Sequence, residues 1–238
     1  MKQHIPNSIT LLNLASGMIA IILAMQGNLQ WAAYMVIIAS VFDFADGMVA
    51  RLLHVKTEIG KQLDSLSDVV SFGVAPGIIM YQLFLQTHAF QLNKFGINFI
   101  VLLFPALYAC FAAYRLAKFN IDTRQTQSFI GLPTPAAAFV LISLPFFQSL
   151  QHCNYFVAIY VGIIILLCYL MVSSIPLFSL KFENMKPKNN FTRYVLICIS
   201  IILLIPLQLR AIPFIILSYI LLSIIELKIR NKNNTQSK

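Results

Sequence analysis

Eight apolar stretches, at about 9–25, 30–52, 66–86, 97–118, 133–150, 155–175, 192–208 and 211–228, occupy most of this chain. Each approaches the roughly 20 apolar residues that a membrane-crossing helix needs. A bilayer core offers the backbone no hydrogen-bond partner, so such stretches must satisfy themselves as helices. The expected fold is therefore all-α, a polytopic transmembrane bundle of about eight helices with no room for a soluble domain. Composition agrees, at 59% apolar and 11% charged residues, against about 25% charged in soluble domains. Residues 1–230 read as one membrane domain, and 231–238 as a basic tail expected to be disordered. The first stretch lacks a small-x-small cleavage pattern and is expected to be a retained helix, not a signal peptide.

The net charge of +9 is laid out unevenly. With both termini in the cytosol, fifteen of the seventeen Lys and Arg fall on that side, leaving only Lys94 and Arg210 outside. The positive-inside rule then orients the chain in a cell membrane with cytosolic termini. Most of these cations are explained by topology and anionic lipid. Nucleic-acid binding would need a soluble basic face, and the sequence has none. Cys110, Cys153, Cys168 and Cys198 lack CxxC spacing and read as packing residues. His4, His54, His88 and His152 lack ligand spacing, which argues against zinc.

Four of the eight acidic residues lie in one run, Asp43-x2-Asp46-Gly47-x2-Ala50-Arg51-x8-Gly60-x3-Asp64-x3-Asp68. Ionisable groups in apolar helices cost roughly 2.5–3.5 kcal/mol each and are functional candidates by default. Helical spacing puts positions 43, 46, 47, 50 and 51 on one face of the second helix. It puts Asp64, Ser67, Asp68 and Ser71 on one face of the third. A loop of roughly ten residues joins the two and brings both acidic faces together at the cytosolic ends of helices 2 and 3. Carboxylates so placed repel one another until a divalent cation intervenes. All-oxygen ligands suit Mg2+, Mn2+ or Ca2+, and two such ions form a clamp for in-line displacement at phosphorus. Gly47 and Ala50 leave room for a nucleotide, and Arg51 is suited to a phosphate oxygen.

Two other readings of the run are open. A helix-end ion network with Arg51, Lys56 and Lys61 would not require the small and charged residues to share two stripes. Intramembrane Asp clusters also line the paths of ion or solute transporters, although that leaves Arg51 and the glycine spacing unexplained and no inverted repeat supports it. Gly73 and Gly77 form a GxxxG pattern that reads as close helix packing. Pro76, Pro105, Pro145 and Pro206 lie in apolar stretches, where neighbours must satisfy the carbonyls they free.

The run resembles the signature of the CDP-alcohol phosphatidyltransferase family, D-x2-D-G-x2-A-R, eight or nine residues, G-x3-D-x3-D, and matches it at every fixed position. Further stretches resemble the membrane-integral phosphatidylserine synthase branch: Pro6–Leu14, Gln62–Gly77, Tyr114–Asn120 and Phe129–Ala138. The last three helices resemble it mainly in hydropathy. The resemblance implies a six-helix family core plus two helices and a homodimer. It implies transfer of a phosphatidyl group from CDP-diacylglycerol to the hydroxyl of L-serine, giving phosphatidylserine and CMP. By the same resemblance Asp43, Asp46, Asp64 and Asp68 hold two Mg2+ or Mn2+ ions, and Asp68 is also the general base. Gly47, Thr57 and Gly60 line the cytidine site with Ala50 beside them, and Arg51 contacts the diphosphate. For the serine carboxylate, Arg115 is the first candidate, with Lys118 and Arg124 on the same side. Ser71, Asn120 and Thr134 are further polar candidates for the acceptor pocket. Glycerol-3-phosphate, an inositol phosphate or choline are the alternative acceptors for the same chemistry.

Overall fold

The computed structural model describes residues 4–55, 57–87, 95–121, 128–147, 156–178 and 190–236. Lys56, Arg124, Lys181, Lys186 and Lys188, expected at the charged end, lie outside these residues, as do His88, His152 and Cys153.

Helix α1 (His4–Met25) packs along α2 (Leu29–Leu52). One stripe of α1 is buried, and it is polar or small: Thr10, Asn13, Ser16, Gly17, Ala20 and Ala24. On α2 it meets Ala32, Ala33, Val36 and Ala39. Small residues let helix backbones approach closely where lipid supplies no hydrophobic drive. The reversal between the two helices is tight because Gly27 takes a left-handed conformation, φ +82°.

The third span runs continuously from Glu58 to Leu85. It begins eight residues before the expected 66, because a capped polar turn carries the helix beyond the apolar stretch. It comprises α3 (Glu58–Asp68), a π-helical segment (Val69–Val74) and α4 (Ala75–Leu85). Pro76 has no N–H to offer the carbonyl four residues earlier, that of Phe72. The hydroxyl of Tyr108, fully buried on the next helix, donates to that carbonyl at 3.0 Å. The glycine pair packs within the chain. A Cβ on Gly73 would lie 3.2 Å from the Ala112 Cβ, and one on Gly77 3.0 Å from the Pro105 carbonyl oxygen.

Those partners belong to α5 (Phe95–Ile121), against which α7 (Phe156–Val172) packs. Between them in sequence lie a short strand β1 (Ser128–Ile130), α6 (Thr134–Ser143) and a 3-10 turn (Leu144–Phe146). Strand β2 (Pro176–Phe178) pairs antiparallel with β1 in register Phe129 to Leu177. This small ribbon was not expected. It continues into Gly131, at φ +76°, whose N–H donates to the Ile175 carbonyl. An added Cβ there would lie 2.6 Å from the Met171 carbonyl oxygen, so only glycine fits.

Helices α8 (Phe191–Leu207) and α9 (Ile212–Gln236) are joined by a 3-10 turn (Gln208–Ala211). Helix α9 docks on β2, where the Tyr219 hydroxyl donates to the Phe178 carbonyl at 2.9 Å. Helix α8 buries only Leu196. Residues 231–236, expected in a disordered tail, continue α9, since no glycine or proline follows Pro213 to end it. The described residues thus form an essentially all-α, polytopic helical bundle. Five stretches are long and apolar enough to cross a membrane, the last of them containing both α8 and α9. The spans at Thr134–Phe146 and Phe156–Val172 are shorter.

If Tyr108 replaces the donor that Pro76 lacks, Tyr108→Phe leaves a buried carbonyl bare, at a cost of about 1–3 kcal/mol. The thermal midpoint of the solubilised protein should fall, and Pro76→Ala in the same chain should recover part of the loss. An unchanged midpoint in Tyr108→Phe would refute the pairing.

Candidate active site

The end of α2 and the start of α3 present the acidic run. Past the end of α2 the chain turns at His54, which takes φ +53°. Thr57 caps α3, its hydroxyl oxygen accepting from the Gly60 N–H at 3.0 Å. A Cβ on Gly60 would lie 2.9 Å from that oxygen and 3.1 Å from Asn7 Oδ1. Glycine at 60 therefore lets the cap close against α1.

Asp43, Asp64 and Asp68 converge, each offering one carboxylate oxygen within 4.8 Å of the other two. Three converging carboxylates are a hard, all-oxygen donor set of the kind that takes Mg2+, Mn2+ or Ca2+. Asp46 is not one of this group. It is buried, and its Oδ2 accepts from the Thr10 hydroxyl of α1. Of the four carboxylates expected to face one another, three form this cluster and Asp46 lies beside them, within electrostatic reach of all three.

Asp46 borders a cavity of about 420 Å³. Gly47, Ala50, Thr57 and Gly60 line it with Asp46 and Asp64, so Asp64 is common to the triad and the cavity. A Cβ on Gly47 would meet nothing within 4 Å. Arg51 is not among the lining residues; it is exposed, and its Nε donates to the Gly47 carbonyl at 2.9 Å. Pro6, Asn7, Thr10 and Lys61 complete much of the lining, and the first three had been given no part in the site. The signal was available: polar residues at 7, 10 and 13 share one face of an otherwise apolar helix. Lys61 also donates to the Asn120 carbonyl at 3.2 Å, and the Asn120 amide donates to Ser65 Oγ at 2.7 Å.

Arg115 is 7% exposed. Its Nη1 donates to Thr134 Oγ1 at 3.4 Å, and its guanidinium lies 5.2 Å from the centre of the Phe119 ring. It is within electrostatic reach of Asp68, yet among the described residues no carboxylate comes within ion-pair distance of it. Lys118 is half-buried three residues further on. Ser71 is fully buried and faces α1, its hydroxyl donating to the Asn13 carbonyl at 3.1 Å. That hydrogen is committed to helix packing. A Cβ on Gly17 would lie 2.9 Å from the Ser71 Cα, so no ligand fits between the two helices there.

With this geometry in place, comparison with known proteins is informative. The family model described as CDP-alcohol phosphatidyltransferase matches residues 3–173. The chain belongs to that family. It is 34% identical over 227 residues to the CDP-diacylglycerol--serine O-phosphatidyltransferase of Helicobacter pylori strain J99, covering 92% of this chain and 89% of the relative. It is 35% identical over 144 residues to the Bacillus subtilis protein of the same name, covering 60% and 76%. It is 34% identical over 177 residues to the archaetidylserine synthase of Methanothermobacter thermautotrophicus, covering 72% and 68%.

The cap can be tested apart from chemistry. Thr57→Ala should cost about 1 kcal/mol of stability, while Thr57→Ser keeps the acceptor oxygen. The gap between their thermal midpoints measures the cap, and equal midpoints would show that the bond contributes nothing.

Proposed function

We propose that this protein transfers the phosphatidyl group of CDP-diacylglycerol to the hydroxyl of L-serine, releasing CMP and forming phosphatidylserine. The observation that carries the reading is Asp64, shared between a carboxylate triad and a cavity whose walls are the family signature. The names of the relatives support serine as acceptor, and so does Arg115. A buried guanidinium that pairs with no carboxylate among the described residues is costly, and the carboxylate of serine would supply a direct partner.

The residues then take distinct parts. Gly47, Ala50, Thr57 and Gly60 receive the cytidine end of CDP-diacylglycerol, and Arg51 meets the diphosphate at the cavity's edge. Asp43, Asp64 and Asp68 fit a divalent ion, Mg2+ or Mn2+, and with Asp46 they provide for a second. Bound there, the metal would neutralise the diphosphate and stabilise the departing CMP. Asp68 takes the proton of the serine hydroxyl, which is a poor nucleophile until a positioned base removes it. The freed oxygen attacks the phosphatidyl phosphorus, the bond from that phosphorus to the CMP oxygen breaks, and CMP leaves with the electron pair. Arg115, with Thr134 behind it and Lys118 nearby, orients the serine carboxylate. Ser71 contributes by holding α1 against the wall of the site.

The charged end of the bundle faces the cytosol in this reading, with both termini on that side of the cytoplasmic membrane. Cytidine and serine enter from water while the acyl chains stay in the bilayer. Residues 1–230 act as one membrane domain, and two chains form a homodimer.

Membranes containing the protein should release CMP from CDP-diacylglycerol when given L-serine, and EDTA should abolish release until Mg2+ or Mn2+ is restored. Robust release with glycerol-3-phosphate but none with serine would move the chain to another acceptor. Asp68→Asn should abolish turnover in a folded protein. Arg115→Gln removes a charged hydrogen bond of about 1.5–3 kcal/mol, so KM for serine should rise about 10- to 100-fold. An unchanged KM would remove Arg115 from the acceptor pocket.

A further inference from the structure

The mechanism above leaves two buried side chains of α1 without a part. Thr10 and Asn13 are three residues apart, on one face of the helix, 3% and 0% exposed. Each reaches a different helix of the signature. The Thr10 hydroxyl donates to Asp46 Oδ2 on α2. The Asn13 amide Nδ2 donates to Asp68 Oδ1 on α3 at 3.2 Å. One oxygen of each carboxylate is thereby engaged by α1, and the other oxygen stays outside these bonds.

The backbone of α1 is fixed to α3 at the same two residues. Ser67 Oγ donates to the Thr10 carbonyl at 3.3 Å, and Ser71 Oγ donates to the Asn13 carbonyl at 3.1 Å. Each donor side chain therefore sits on a residue whose own carbonyl is tied down, which sets its depth and rotation.

Asn13 carries a second observation. Its Oδ1 is buried and has no hydrogen-bond partner. A buried acceptor left bare costs about 1–3 kcal/mol. A leucine would fill a similar volume without leaving that acceptor bare. Packing alone therefore gives no reason for an amide at this position, whereas a donor to Asp68 does.

We propose that Thr10 and Asn13 are positioning residues that fix which oxygens of Asp46 and Asp68 face the metal and the acceptor hydroxyl. The inference rests on the reading of the site as a metal-dependent phosphatidyl transferase. Partners that orient metal-ligating groups typically change metal affinity or activity about 10- to 100-fold when lost.

The test uses the full-length protein in detergent, with Asn13→Leu, Thr10→Val and Thr10→Ser. Three quantities are measured: Mn2+ affinity by electron paramagnetic resonance of the free ion, thermal midpoint, and kcat and KM for L-serine. Asn13→Leu and Thr10→Val should weaken Mn2+ binding or lower kcat by about 10- to 100-fold, with KM for serine moving less than kcat. The thermal midpoint of Asn13→Leu should hold or rise, since the bare carbonyl is gone. Thr10→Ser, which keeps the hydroxyl, should recover most of what Thr10→Val loses. Wild-type Mn2+ affinity and kcat in a folded Asn13→Leu or Thr10→Val would overturn the proposal. If Asn13→Leu does not fold, the Thr10 pair decides, and equal losses in Thr10→Val and Thr10→Ser would overturn it. A wild-type protein that binds Mn2+ yet makes no phosphatidylserine would count against serine as acceptor, while the Mn2+ affinities still judge Thr10 and Asn13.

Discussion

Mutual repulsion among Asp43, Asp64 and Asp68 is the constraint around which the rest of the bundle is arranged. Their carboxylate oxygens lie within 4.8 Å of one another on two helices, and like charges that close repel unless a cation or a shared proton intervenes. Helix α1 works against it. Its small buried stripe lies along α2, and Ser67 and Ser71 fasten α3 to its backbone. A helix with no acidic residue of its own thus holds the acidic site together.

The rest of the fold supports that arrangement from a distance. Helix α5 receives the glycine face of the third span and supplies Tyr108 to the carbonyl that Pro76 leaves bare. It also carries Arg115, which lies within electrostatic reach of Asp68 and outside the cavity lining. The ribbon of β1 and β2, locked at Gly131, sets the start of α6 and with it Thr134 beneath the guanidinium. The helices outside the family match are α8 and α9; α9 docks on the ribbon, and α8 buries little of itself.

Much of this was legible in the sequence. Apolar length gave the helices, and the signature's spacing gave the stripe that brings Asp43, Asp64 and Asp68 together. What escaped reading depends on contacts between distant residues. Periodicity places Asp46 on the acidic stripe but cannot say that Thr10, 36 residues earlier, takes one of its oxygens. It marks Ser71 as facing the site's side without showing that α1 already occupies that space. Nor does hydropathy register a ribbon of two three-residue strands, because its stabilising contacts join positions 128–130 to 176–178.

The π-helical segment has a geometric consequence for the third span. In an α-helix each residue turns the chain by about 100°, so a rigid helix would lock the bearing of Asp64 and Asp68 to that of Gly73 and Gly77. The wider turn at Val69–Val74 breaks that lock. It acts as a phase shifter, letting the upstream half aim its carboxylates at α1 and α2 while the downstream half aims its glycines at α5. The bearing of the carboxylates and the bearing of the packing face are thereby set separately along one continuous rod.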